Sequence, residues 1–228
     1  MIDDVAVLIP SYNESAIIKK TVNQLRKHFT NIIVINDGST DNSREILEKL
    51  DIVVINHPYN LGQGASIVTG INYIVSRKID FFITFDADGQ HRTEDALLLA
   101  NKIKSNKFDI IFSSRFLNSN SNVPRFKKML LKTALYFTNI ITNMNLTDTH
   151  NGLKAFKSEA FKDLNLTIPR YGFETELIFW VSDNKLIYTE SSAEITYSKY
   201  SMQKGQSLLN AFIIFEDIMK LLFKRVWK

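Results

Sequence analysis

The chain has 228 residues, 45% of them apolar and 23% charged, with a net charge of +4; this composition supports one large buried core and excludes a disordered chain. It has no cysteine, which excludes disulfide frameworks, thiolate metal centres and thiol nucleophiles. No apolar run approaches the roughly 18 residues of a membrane span, the opening Met1-Ile2-Asp3-Asp4 does not read as a leader peptide, and no nucleic-acid recognition motif accompanies the positive charge.

Val5–Pro10 is a short apolar run that reads as a buried strand and ends in Ser11-Tyr12-Asn13-Glu14. Ile18, Val22, Leu25 and Phe29 then form one helical stripe. Ile32–Asn36 is a second strand, ending in Asp37-Gly38-Ser39-Thr40-Asp41, and Asp41 is placed to cap a helix that turns Ile46, Leu47 and Leu50 inward. Ile52–Asn56 is a third, followed by His57-Pro58-Tyr59-Asn60-Leu61-Gly62-Gln63-Gly64 and a stripe of Ile67, Ile71, Ile74 and Val75. Phe81–Phe85 is a fourth, ending in Asp86-Ala87-Asp88-Gly89-Gln90-His91, with Thr93 placed to cap the helix bearing Leu97 and Leu98. Asp109–Ser113 is a fifth and runs into Ser114-Arg115.

Strands alternating with helices predict an α/β fold: right-handed crossovers and a mostly parallel sheet with helices on both faces. Ligands of such sheets bind at the carboxyl ends of the strands, and all five polar loops fall there. Each alone has the composition of an ordinary turn; together they describe one polar rim. Within it, an apolar strand ending in two carboxylates at i and i+2 calls for a cation. Mg²⁺ prefers one or two carboxylates plus substrate phosphate oxygens, so Asp86 and Asp88 suggest a metal–diphosphate site and a nucleotide-linked substrate.

Positive charge is unevenly placed. Lys102, Lys104, Lys107, Arg115, Arg125, Lys127, Lys128 and Lys132 stand against a single acid, Asp109. This describes either a solvated face or a surface for anionic membrane or phosphate-bearing substrates. Two amphipathic segments share the ambiguity: Val123 to Met144, with a basic start, and Leu208 to Trp227, with Phe212, Phe215, Met219 and Leu222 on one stripe. They suit packing on the sheet, contact with a second copy as a homodimer, or in-plane membrane binding.

The motifs Ile9-Pro10-Ser11-Tyr12-Asn13-Glu14, Asn36-Asp37-Gly38-Ser39-Thr40-Asp41, Asn60-Leu61-Gly62-Gln63-Gly64 and Asp86-Ala87-Asp88-Gly89-Gln90-His91, in this order, resemble the family 2 glycosyltransferases of the GT-A fold. The resemblance runs from about Val5 to Ser207. Asp148-Thr149-His150-Asn151-Gly152-Leu153-Lys154-Ala155-Phe156 and Tyr171-Gly172-Phe173-Glu174-Thr175-Glu176-Leu177 are similar to the subgroup containing dolichyl-phosphate mannose synthase and bacterial polysaccharide enzymes. The resemblance implies a single GT-A domain over residues 1–207 with a helical appendage over 208–228, and an inverting transfer from a UDP-, GDP- or dTDP-sugar to a lipid-linked acceptor, either a polyprenyl phosphate or a glycan hydroxyl. It implies Mg²⁺ or Mn²⁺ held by Asp86, Asp88 and Gln90. Donor contacts are implied at Pro10, Tyr12, Glu14, Asp37, Ser39, Asn60, Gly62, Gly64 and Asp86, with Lys204 closing from the basic loop Tyr197 to Ser207. The setting it implies is cytoplasmic, peripheral on the inner membrane face, in surface-polysaccharide assembly.

Three further residues are expected in the site. Glu174 takes the position where most of the family place a catalytic Asp; it is a general base for a hydroxyl acceptor, a positioning group for a phosphate acceptor, or simply a first-turn acid favoured by the helix dipole. Asp148 precedes the glycine of its motif and has an active-site role of unspecified kind. Arg115, at a strand end, contacts a phosphate or acceptor, or forms a salt bridge. His91 is expected to touch sugar or diphosphate rather than ligate metal. Two other readings compete: a sugar nucleotidyltransferase, which would want a Gly-rich basic loop after the first strand, and a non-catalytic nucleotide-sugar sensor or membrane scaffold.

Overall fold

The computed structural model describes residues 1–117, 125–149, 151–168 and 172–196. Strands β1 (Val5–Ser11), β2 (Ile32–Asn36), β3 (Val53–Asn56), β4 (Phe81–Thr84) and β5 (Ile110–Ser114) stand where the apolar runs predict them, within a residue or so. Helices α1 (Ile18–Leu25), α2 (Ser43–Leu47), α3 (Gln63–Ser76) and α4 (Thr93–Ile103) separate them. After β5 come α5 (Arg125–Thr142), β6 (Lys154–Lys157), α6 (Phe173–Asp183) and β7 (Tyr188–Ser192).

These strands form one sheet in the order β3-β2-β1-β4-β6-β5-β7. Neighbours pair in parallel except at β6, which runs antiparallel to both β4 and β5. Alternate residues of β1 point to opposite faces. Val5, Val7 and Ile9 pack with α1 and α4 in one core; Ala6 and Leu8 pack with α3 and α6 in the other. The sheet is thus covered on both sides, as its uninterrupted apolar strands require.

β6 is the element that apolar runs do not announce. Lysines at both ends of Lys154-Ala155-Phe156-Lys157 disguise it. Its centre is apolar: Phe156 stacks on Phe82 of β4 with ring centroids 4.6 Å apart, and Phe161 meets it edge-on at 5.0 Å. Because β6 runs backwards, its amino end lies beside the carboxyl ends of β4 and β5, and the loop before it joins the polar rim.

Three local expectations change. Asp41 accepts the Ser43 N–H at 2.9 Å, but α2 begins after Asn42 and no side chain bonds at its cap position. Thr93 is the first residue of α4 rather than its cap. The buried face of α4 is Ala96, Leu99, Ala100 and Ile103, leaving Leu98 58% exposed. Among the described residues no helix is long and apolar enough to cross a membrane. The segment 208–228 and the Tyr197 to Ser207 loop with Lys204 lie outside the described residues.

Candidate active site

The rim is assembled from loops that hold one another. After β1, Asn13 adopts a left-handed φ of 54°. Its Oδ1 accepts the Thr40 N–H at 2.8 Å, and its own N–H donates to Ser39 Oγ at 3.0 Å. Asp41 accepts from Ser15 N and Ser43 N, and Glu14 N donates to Ser43 Oγ. Partial burial disfavours the Asp41 charge, but the bonds from Ser43 and Ser15 prevail and lower its pKa to about 2. Ser39 therefore serves the joint between the first two loops. Tyr12 and Asn60 are exposed, and Glu14 is buried.

Asp37, expected to accept from a nucleobase, is buried. Its Oδ1 accepts from Leu61 N at 2.9 Å and meets His57 Nδ1 at 2.7 Å, while Oδ2 accepts from Gly62 N at 2.8 Å. A buried carboxylate gathers the donors within reach, so its geometry here is that of an anchor for the Gly62 loop. Gly64 is likewise fitted to protein: a Cβ there would lie 2.8 Å from the Ile168 carbonyl oxygen and 3.0 Å from Phe173 Cβ. This lets α3 begin hard against α6. Gln63, in the first turn of α3, donates through Nε2 to Asp86 Oδ1 at 3.3 Å.

Asp86 lies one residue beyond Phe85 and lines a narrow recess together with Gln63, Thr84, Gly152, Lys154 and Glu174. His91 Nε2 meets its Oδ2 at 2.9 Å, and the His91 ring is buried edge-on to Phe85. His91 is thus positioned to orient the Asp86 carboxylate. Burial penalises the Asp86 charge, yet His91, Lys154 and Gln63 together hold its pKa below the usual range. Gly152 lies directly over it: a Cβ would come within 2.1 Å of Oδ2. Asp88 shows the opposite shift. Burial first, and then the Asp86 charge, push it up to about 6, against the Gln90 N–H and His91. Both Gln90 nitrogens donate to Asp88, backbone N to Oδ1 and Nε2 to Oδ2, leaving the Gln90 side-chain oxygen as a donor atom toward a cation.

These residues fit a hard divalent ion. The donor set is two carboxylates and an amide oxygen, and burial, reinforced by the Asp86 charge, drives Asp88 toward protonation. Among the described residues no cluster of three or more His, Asp or Glu is arranged to hold a metal. Mg²⁺ completes a shell begun by one or two carboxylates with water and substrate phosphate.

Arg115, expected at a phosphate or acceptor or in a salt bridge, and Asp148, expected in the active site, face each other. Arg115 Nε donates to Asp148 Oδ2 at 2.7 Å, its NH2 group to Oδ1 at 2.8 Å, and its backbone N to Oδ2 at 3.1 Å. The Asp148 side chain is 2% exposed. Of the two readings of Arg115, the salt bridge is the one observed. The pair ties the end of β5 to the loop before β6.

Glu174 lies in the first turn of α6, buried, with Oε2 accepting from Lys154 Nζ. Lys154 also donates to the Asn151 carbonyl. Burial raises the Glu174 pKa, opposed by Lys154 and assisted by Asp86 and Asp148. Glu176 instead binds Thr167 and Ile168 N–H groups outside the pocket. The pocket is closed by Pro10, Ile67, Phe156, Phe173 and Leu177. Sequence reasoning assigned no role to Lys154, His57 or Gln63. For Lys154 the available signal was a lysine interrupting Leu153-Lys154-Ala155-Phe156.

The family model "Glycosyl transferase family 2" matches residues 6–164. UDP-N-acetylglucosamine–dolichyl-phosphate N-acetylglucosaminyltransferase of Methanococcus voltae is 31% identical over 242 residues, covering 96% of each chain. A dolichyl-phosphate β-glucosyltransferase of Trichomonas vaginalis is 29% identical over 234 residues, covering 92% of this chain and 71% of that one. The fold is that of GT-A glycosyltransferases. Glucosyl-3-phosphoglycerate synthase of Mycobacterium tuberculosis superposes with a TM-score of 0.74 at 15% identity, over 95% of this chain and 79% of that one. The same enzyme has been solved with Mn²⁺, uridine diphosphate and phosphoglyceric acid.

Proposed function

The chain belongs to glycosyl transferase family 2, and on that footing we propose that it moves a sugar from a nucleoside-diphosphate donor to a lipid-linked phosphate, with inversion, using Mg²⁺ or Mn²⁺ at Asp86, Asp88 and Gln90. The observation that carries this reading is the Asp86–Asp88 pair at the sheet's carboxyl edge, where Asp88 is pushed up to about 6 by burial and by its neighbour. A divalent ion bound there supplies Lewis-acid stabilisation of the departing diphosphate.

The protein's own groups position the reactants. Asp37 holds the Gly62 loop, and His91 and Gln63 aim Asp86. Tyr12 and Asn60, exposed on the β1 and β3 side, are placed for the nucleoside. In the proposed reaction an acceptor phosphate oxygen bonds to the anomeric carbon from the face opposite the leaving group. The bond from that carbon to the diphosphate oxygen breaks, and the diphosphate leaves with the electron pair. The attacking oxygen is already anionic, so no proton has to be removed. The pairing of Glu174 with Lys154 favours this acceptor over a hydroxyl, which would need an unencumbered base. The two relatives named for dolichyl phosphate support the same choice. On α5, Tyr136, Phe137 and Ile140 are exposed on one side of the helix. That apolar stripe supports peripheral contact with the membrane that carries such an acceptor.

The test is a panel of UDP-, GDP- and dTDP-sugars screened by thermal shift with Mg²⁺ or Mn²⁺, followed by transfer to a polyprenyl phosphate in detergent. Metal-dependent transfer is expected with one donor class. Tight donor binding without transfer to any acceptor would favour a sensor instead.

A further inference from the structure

The loop from Asp86 to His91 carries the three proposed metal ligands, and its backbone is held from behind on two sides. Ala87, between the two acids, is buried in one core with Ile18 and Val22 of α1 and Ala96 of α4. Its carbonyl accepts from Thr21 Oγ1 at 3.2 Å. Inside a helix a threonine hydroxyl commonly turns to solvent or bonds the carbonyl four residues back. Thr21 is buried in α1 and reaches instead across 66 residues of chain to the loop. The other side is held by chain that has just left β7. Thr196 N donates to the Gln90 carbonyl at 2.9 Å, and His91 and Ile195 form an antiparallel bridge. That chain is in turn tied to α4. Asp95, buried in the first turn of α4, accepts from Glu194 N through Oδ2 at 3.0 Å. Arg92, between the loop and α4, pairs with Glu194. The bonds of Thr21 and Asp95 go to backbone, so what they fix is the course of the chain.

We propose that Thr21 and Asp95 are positioning residues for the divalent ion. Thr21 pins the loop at Ala87; Asp95, through Glu194 to Thr196, pins it at Gln90. This rests on the metal reading above and names the residues that give the ion its geometry without touching it. A hard ion such as Mg²⁺ takes its oxygens at about 2.0–2.1 Å in a near-ideal octahedron, so Asp86, Asp88 and Gln90 must be presented with little slack. Inside the loop, Gln90 bonds Asp88 through its backbone N and its side chain. Those bonds set one ligand against its neighbour but leave the loop free to move as a unit. Its place on the sheet comes from α1 on one side and from the chain after β7 on the other. Groups that stand behind metal ligands govern affinity, and losing one costs about 10–100-fold.

The experiment is titration of the full chain with Mn²⁺ at fixed UDP, and again at fixed GDP. Free Mn²⁺ is read by electron paramagnetic resonance against a protein-free blank of the same nucleotide, and folding by circular dichroism. Thr21→Val removes the hydroxyl and keeps the side-chain shape, while Thr21→Ser restores the hydroxyl. Asp95→Ala removes the acceptor, while Asp95→Asn restores an oxygen. Thr21→Val and Asp95→Ala are expected to weaken Mn²⁺ by about tenfold, with Thr21→Ser and Asp95→Asn within about twofold of wild type. Because valine matches threonine in size, Thr21→Val keeps the test open if Asp95→Ala does not fold. Wild-type Mn²⁺ affinity in folded Thr21→Val would overturn the pin at Ala87, and in folded Asp95→Ala the pin at Gln90. An equal loss in Thr21→Ser and Asp95→Asn would trace the effect to general loosening of the fold and overturn both. A wild type that takes up no Mn²⁺ beyond the blank would instead overturn the metal reading beneath them.

Discussion

Arg115 holds both carboxylate oxygens of Asp148, 2.7 and 2.8 Å away, across 33 residues of chain. Arg115, at a strand end, was expected at a phosphate or acceptor, and Asp148, from its motif, in the active site; here the two bond each other. Replacing Asp148 by Asn removes the carboxylate charge that a largely buried guanidinium bonds twice. Removing one partner of such a pair costs about 3–5 kcal/mol. Urea unfolding of Asp148→Asn should show a loss in that range; an unchanged midpoint would mean that the pair contributes little to the fold.

Gly152→Ala tests the close approach over Asp86. A methyl group within 2.1 Å of Oδ2 must displace the carboxylate or the loop. A shift of about 1 Å at a reacting centre can cost about a hundredfold in rate. Transfer should fall at least that far while the circular dichroism spectrum is preserved. Near-normal turnover would show that Asp86 has room to spare.

Asp88→Asn removes one of the two neighbouring negative charges. The wild type should gain thermal stability from Mn²⁺ plus nucleoside diphosphate beyond that from the nucleotide alone, since ligands of the native state raise its apparent stability. In the variant that metal-specific increment should vanish. Its persistence would move the metal away from Asp88.

Glu174→Gln separates the two acceptor classes at saturating donor. Loss of a general base costs about 10²–10⁴-fold. With a phosphate acceptor, kcat should change by less than about tenfold. A drop of three orders of magnitude would reinstate Glu174 as a base and a hydroxyl as acceptor.

Asp41 predicts an acid-labile joint between the first two loops. Its folded pKa of about 2 lies below the reference 3.8. Its contribution is therefore fully present above the unfolded value and is lost as pH falls from about 4 toward 2. Asp41→Asn should flatten the stability profile in that window relative to wild type. An identical acid limb in both proteins would assign the lability to other groups.

The first five strands, their helices and the polar rim were legible because each depends on neighbours in sequence. Period-two and helical spacing place Ile9 or Val22 inside, and a carboxylate one residue past Phe85 is visible at once. Leu98 shows the limit: its helix was identified, but which face it buries was not, since that depends on how α4 sits on the sheet. Asp37 and Gly64 were picked out as donor contacts through their motifs. Their protein contacts, Leu61 and Gly62 for Asp37 and Ile168 and Phe173 for Gly64, come from distant parts of the fold.

By itself the amino-acid sequence determined an α/β sheet, the edge that carries its chemistry and the acidic pair on that edge. The tertiary structure alone decided which distant side chains answer one another: Arg115 with Asp148, Lys154 with Glu174, Gly152 with Asp86. The physical reason is β6. A short strand paired backwards between β4 and β5 brings chain from beyond α5 up to the rim, and that register comes from long-range packing of Phe82, Phe156 and Phe161 rather than from any local pattern.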